Sequence, residues 1–238
     1  MDCPSRMPNI AVLNGEAHKD IRIKTDSAAH LGDAVRFVPV VLPEFTNLIL
    51  HYPLFFSKDA DTGAFYCGAM MGFDEEENLF LGKRAPLDIY RPLNLQRGPF
   101  FTAGNELAID LDHPRISRME GQPLFGPDGS ASPYLDSIVG TMRALTTGAT
   151  ATRAFIDTLL QHKLIEPIAI DVAFDDGTRR DVVGLYTISQ DTLQQLDDAV
   201  VTDLFRRGYL KLIYLMMASV RHVNGLAQMK NRALLDLG

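Results

Sequence analysis

The chain has 238 residues, 46% apolar and 22% charged, with 23 Lys and Arg against 30 Asp and Glu. That balance belongs to a globular protein with enough apolar side chains for its own core. The net charge of -7 argues against nucleic acid or an anionic membrane as the main partner, since both require a positive field.

Residues 1–12 (MDCPSRMPNIAV) contain no apolar run of signal-peptide length. The longest membrane-like run, 212–220 (LIYLMMASV), is about half the length that spans a bilayer. The expectation is a protein with no membrane span that resides in the cytoplasm.

Residues 1–36 form the least regular segment, with one short half-exposed strand at 19–25 (KDIRIKT). In the apolar run 36–42 (RFVPVVL), Pro39 excludes a central hydrogen-bonded strand position. Residues 43–51 open with Pro43 and Glu44 and suit a short helix facing Phe45, Leu48 and Ile49 inward. A hairpin follows, with strands at 53–57 and 64–73 around the polar turn 58–63, and a third strand starting at 77–81. Residues 90–98 read as a turn or short helix, and 106–111 (ELAIDL) as a strand. The Gly- and Pro-rich stretch 119–133 reads as a long ordered loop and a possible sub-boundary.

The second half is more helical. Ser132 and Pro133 start a helix that Gly148 is expected to end near Thr147, and a second helix follows over 149–163. Strands at 165–174 and 180–188 flank Asp175-Asp176-Gly177, which fits a two-residue hairpin turn. Helices at 197–207, ended by Gly208, and at 209–235 close the chain. The fold class is α+β: a mixed, mainly antiparallel sheet with β-hairpins and a helical C-terminal half, residues 37–238 forming a single domain.

Familiar chemistry is sparse. The sequence has no GxGxxG, no GxxxxGK[ST], no GxSxG, no HExxH and no CxxC, so no cofactor is expected. Its two cysteines, Cys3 and Cys67, are too few for a disulfide framework, and Cys67 reads as a small core residue. His18 and Asp20 have the HxD spacing of iron sites, with His113 or His162 as distal ligand, but so short a pattern arises by chance. The acidic run 74–77 (DEEE) reads as a solvated loop guarding a strand edge, with cation or basic-peptide binding as the alternative. The wide apolar stripe of 209–235 reads as core, with a partner or homo-oligomer surface as the alternative.

Several ordered segments resemble the SapC family of bacterial proteins. They are Tyr52-Pro53 with Phe55-Phe56, Thr62-Gly63, and Gly72-Phe73 leading to Glu77-Asn78-Leu79-Phe80. Further on come Pro99-Phe100, the loop 120–125, Ser132-Pro133-Tyr134-Leu135, residues 164–167 and Gly184-Leu185-Tyr186. The resemblance runs from near Phe37 to near Leu226. It departs in one stretch: related chains usually carry a tryptophan there, whereas this chain has none and its residues 83–95 look shortened. The resemblance implies an accessory protein linked to outer-membrane receptors or protein-modification systems, and supplies no catalytic residues. A peptide-transport permease shares the name, and that label does not transfer to a chain without spanning helices.

The leading expectation is a non-catalytic accessory protein that binds a peptide or protein partner. Lys58, Glu77, Asn78, Arg97 and Tyr134 are the candidate binding residues, because each is polar within or beside an apolar family-like segment. A metal-dependent enzyme of unfamiliar geometry, using His51, Asp110, Asp112 or His113, is the alternative, and a structural protein of a surface layer is the third reading.

Overall fold

The computed structural model describes residues 9–82 and 89–235. Cys3, the start of the N-terminal segment and much of the stretch 83–95 therefore lie outside the described residues. The early strands are β1 (Ile10–Val12), β2 (Arg22–Ile23), β3 (Phe37–Pro39), β4 (Leu54–Lys58) and β5 (Phe65–Met70). The later ones are β6 (Phe100–Ala103), β7 (Glu106–Asp110), β8 (Ile116–Ser117), β9 (Gln122–Pro123), β10 (Ile165–Ala173) and β11 (Arg179–Ile188). The helices are α1 (Phe45–Leu48), α2 (Leu93–Gln96), α3 (Pro133–Gln161), α4 (Gln190–Gln194), α5 (Asp198–Arg206), α6 (Tyr209–Ser219) and α7 (His222–Leu235). Every strand pairing is antiparallel, so the α+β expectation holds.

The chain folds as two compact units, Met1–Ala34 with Leu93–Leu145, and Val35–Pro92 with Thr146–Gly238. Residues 119–133, named from sequence as a possible sub-boundary, lie inside the first unit, and one change of unit falls within α3.

The first unit holds two three-stranded sheets, ordered β1-β7-β6 and β8-β2-β9. Ile21, Ile23, Phe100, Ile109 and Leu124 form its apolar core with Leu135 and Ile138 from the start of α3. Ser132 fixes where α3 begins: its hydroxyl accepts from the Leu135 N–H (3.1 Å) and donates to the Pro123 carbonyl (2.7 Å).

The second unit is built on one five-stranded sheet, ordered β10-β11-β4-β5-β3. In the β4–β5 turn the Asp59 carboxylate accepts from the Thr62 N–H (2.8 Å) and hydroxyl (2.6 Å). The β10–β11 turn differs from the two-residue form expected. The Phe174 N–H donates to the Thr178 carbonyl (2.8 Å), which leaves Asp175, Asp176 and Gly177 between them, with Gly177 at φ 83°. A three-residue loop with glycine in the left-handed region is the next commonest hairpin connection. Phe56 of β4 packs near Phe155 of α3, which meets Tyr209 of α6 edge-on at 5.1 Å. Beside them, Ser219 at the end of α6 accepts from the Leu54 N–H (2.9 Å).

Strand β10 runs for nine residues along the rim of this sheet, and its outer side has no strand partner among the described residues. The Ser189 N–H donates to the Leu164 carbonyl. By alternation, even-numbered residues of β10 turn their backbone groups towards β11 and odd-numbered ones face away.

Three expectations are corrected. Gly148 does not end a helix: α3 runs unbroken for 29 residues, and Gly148 is not among the positive-φ glycines. It is there for space, because a Cβ at this position would lie 2.7 Å from Val41 Cγ2 and 2.8 Å from its Cβ. Residues 77–81 are not a strand. Asn78 Oδ1 instead accepts from the Phe80 N–H (3.0 Å), bending the segment locally, and β3 takes the free edge of β5. The helix expected over 209–235 is two helices. The Ser219 hydroxyl donates to the Met216 carbonyl (2.7 Å), competing with the helical ladder just before the break.

At an ordinary helix position Gly→Ala gains about 1 kcal/mol. For Gly148→Ala the overlap with Val41 reverses the sign, and a loss of about 1–3 kcal/mol is expected in urea denaturation of the full chain.

Candidate functional site

The described part of the second unit contains a groove of about 260 Å³ on one face of its sheet. Strand alternation builds the floor. Phe37 faces Met70, Ser57 faces Tyr66, and Leu185 faces Ser57, so all five side chains share one face. Gly68 lies between Tyr66 and Met70 along β5, and its missing side chain leaves room for the Phe37 ring, which meets Tyr66 edge-on at 6.0 Å.

Hairpin β10–β11 supplies the wall. Its register slips between Ile168 and Ile170, so that Val183 and Gly184 oppose the single residue Ala169. Gly184 takes φ 80°, a value that bulges assign to glycine. Val183 is left 68% exposed on the lining of the groove, an apolar side chain with water on most of its surface. Arg36 and Lys58 also line it.

Of the five candidate residues, Lys58, Glu77 and Asn78 belong to the second unit, and Arg97 and Tyr134 to the first. Only Lys58 lines the groove; its ammonium stands 4.8 Å from the Phe65 ring centre and 5.1 Å from that of Tyr186. Glu77 accepts from the Phe73 N–H (2.8 Å) and pairs with Lys230. Asn78 holds its own turn. Arg97 donates to the Phe100 carbonyl (2.7 Å) and to Asn94 (3.0 Å), and its guanidinium stacks on Phe101 at 4.6 Å. Burial lowers the Arg97 pKa. Tyr134 packs half-buried on the first unit's core.

The acidic run turns out to be partly an internal lock. Asp74 binds Arg180 of β11 (2.5 Å) and Lys230 of α7 (2.7 Å), while Glu75 and Glu76 are exposed. Hydrogen bonds from Arg180 and then Lys230 hold the Asp74 carboxyl below the usual range. Burial pulls the Lys230 pKa down, but its bonds to Asp74 and Glu77 outweigh this, and the net shift is upward.

The groups considered for enzymatic chemistry have local duties. His18 Nδ1 accepts from the Asn14 N–H (2.9 Å). Asp110 accepts from the N–H groups of Asn9 (3.1 Å) and Asp112 (3.2 Å), and His113 Nδ1 from that of Arg115 (3.2 Å). Burial, with Arg115 adding to it, lowers the His113 pKa. Cys67 is fully buried, which pushes its thiol pKa up. Among the described residues no group of three or more His, Cys, Asp or Glu side chains is placed to hold a metal ion. No described helix is long and apolar enough to cross a membrane.

The apolar stripe of the C-terminal helices, read from sequence as core, is core in part, since Ile213 and Met216 are fully buried.

A deeply buried ion pair lies in the first unit. Arg115 Nη2 donates to both Asp33 oxygens at 2.7 Å, each partner 3% exposed. Its Nη1 donates to the carbonyls of Lys24 (2.7 Å) and Asp26 (2.9 Å), so one guanidinium holds the segment from 24 to 33.

Sequence reasoning missed the groove's floor and wall: Arg36, Phe37, Ser57, Tyr66, Met70 and Val183. A signal was present, since Gly68 and Gly184 each interrupt a strand pattern, which marks a close approach or a bulge.

Arg115→Met leaves Asp33 buried without its cation, and a loss of about 3–5 kcal/mol is expected in urea denaturation. The Asp74 lock gives a pH signature. Because its folded pKa is depressed, its stabilisation is present above about pH 3.9 and is lost as pH falls through the folded value. Lys230 contributes below about pH 10.4, and that contribution is lost as pH rises through its raised pKa. Lys230→Met is expected to flatten both limbs of the plot of urea midpoint against pH.

No curated protein and no solved structure matches the chain. The model of the SapC family does, over residues 13–226, nine-tenths of the length and both units. The chain belongs to the SapC family.

Proposed function

We propose that this protein is a non-catalytic accessory protein that recognises a peptide or protein segment through the groove of its second unit. One observation carries the reading: a concave floor of Phe37, Tyr66, Met70 and Leu185 lies beside the exposed wall residue Val183. Enclosed pockets for small molecules occupy about 300–1,000 Å³. At about 260 Å³ the groove falls below that range and suits one or two side chains of a longer partner. The partner belongs, in this reading, to an outer-membrane receptor or protein-modification system served from the cytoplasm.

A peptide array probed with the purified full chain tests the reading. Val183→Asp puts a charge on the wall at an exposed position where folding is tolerant. Peptides selected by the wild type are expected to lose at least about tenfold in affinity for this variant. Retention of the same peptides at unchanged affinity would remove the groove as the site.

A further inference from the structure

We propose that two copies of this chain associate through β1, laid antiparallel about a two-fold axis at Ala11. The contact lies wholly in the first unit. Strand β1 is the outer strand of the sheet β1-β7-β6. The Leu13 N–H donates to the Leu107 carbonyl (2.8 Å) and the Leu111 N–H to the Asn9 carbonyl (3.0 Å), so odd-numbered residues of β1 turn their backbone groups towards β7. By alternation the N–H and C=O of Ile10 and Val12 point outward, and no strand meets them among the described residues. Their side chains are 48% and 46% exposed.

Edges that stay single in water are protected by charge, proline or a bulge. Residues 9–13 (NIAVL) have none of these. In a chain of net charge -7 most faces repel their own image, and an uncharged strand is a place where two copies meet without that repulsion. The register is also self-complementary. With Ala11 opposite Ala11, Ile10 of each copy faces Val12 of the other, and both members of such a pair have their hydrogen-bonding groups outward. Each pair exchanges two backbone hydrogen bonds. Val12 also lines a hollow of about 330 Å³ with Leu107, Phe125, Leu135 and Val139, and Glu106. Ile10 of the second copy, set against Val12, comes to the mouth of this hollow, so apolar cover accompanies the ladder. A two-fold contact occupies both strand edges at once and closes the pair as a dimer.

Sedimentation velocity of the full chain from about 1 to 200 μM tests this, the upper limit suiting a contact below the standard interface size. The sedimentation coefficient is expected to rise from monomer to dimer over that range and stop there. Ile10→Lys puts a cation on the exposed edge beside Asp110 of β7, where the fold accommodates it. Because a two-fold contact contains each change twice, dimerisation is expected to weaken at least about tenfold. Val12→Glu acts likewise, and circular dichroism checks the fold of both variants. An equimolar mixture of the two is expected to recover dimer, since the register sets the new lysine of one copy against the new glutamate of the other. Ala11→Cys in a Cys3→Ser background probes the axis without adding charge. Opposed residues that do not share hydrogen bonds have Cα atoms about 4.5 Å apart, within disulfide reach, so an inter-copy disulfide is expected on oxidation. Cys67 is buried and does not compete.

A wild type that stays monomeric throughout would overturn the proposal, whether the edge takes another protein or nothing. So would a dimer that Ile10→Lys leaves unchanged, which puts the contact elsewhere. A variant mixture that stays monomeric, or an Ala11→Cys chain that forms no disulfide, rejects the register. Assembly that continues past the dimer rejects the closed two-fold form.

Discussion

Two residue pairs, Leu185 with Ser57 and Tyr186 with Phe56, fasten the β10–β11 hairpin to the remainder of the second unit's sheet. That short seam is the constraint from which the candidate site follows. Past it, the bulge at Val183 and Gly184 changes the course of β11, and the hairpin becomes a wall rather than a further layer of sheet. Its far end is held by different means. Arg180 reaches Asp74, Asn231 accepts from the Asp175 N–H (3.2 Å), and Phe174 meets Phe73 edge-on at 5.2 Å. A strand seam at one end and an ionic and aromatic clasp at the other leave the bulged middle to shape the hollow.

The first unit is organised around a polar centre as well as an apolar one. Its aliphatic and aromatic cluster packs the sheets against the start of α3. The Arg115–Asp33 pair does what apolar packing cannot do for an irregular segment, because it gives the Lys24 and Asp26 carbonyls a fixed donor. Desolvating two charges is expensive, so such a pair is weak evidence of extra stability. Its contribution here is to conformation: the segment between Lys24 and Asp33 has only one short 3-10 turn, at Ala29–Leu31, and one planar side chain fixes its two ends.

Local chemistry made much of the architecture legible. Asp and Gly at fixed offsets announced both hairpins of the second unit, and Ser132 with Pro133 announced the start of α3. The family-like segments likewise foretold a family that a match over residues 13–226 bears out. What stayed hidden depends on neighbours distant in sequence. Gly148 reads as a stop until Val41 is seen against it, and residues 77–81 read as a strand until Asn78 turns back on Phe80. The candidate residues chosen from sequence were polar groups in apolar surroundings, and most of them satisfy nearby backbone or charge. The groove is instead made of ordinary apolar residues brought to one face by register, a property no single position displays.

The rim strand β10 has a consequence for how copies of this chain meet. A bare strand edge invites zippering with its like. Here Pro167 occupies an outward-facing position and withholds one of the donors such a ladder would use. Glu166 and Asp171, both exposed, place negative charge along the same rim, so a second molecule laid edge to edge adds like charge to like. Crowded solutions of this protein are therefore guarded against fibrous self-pairing at the very edge where a sheet is most open to it.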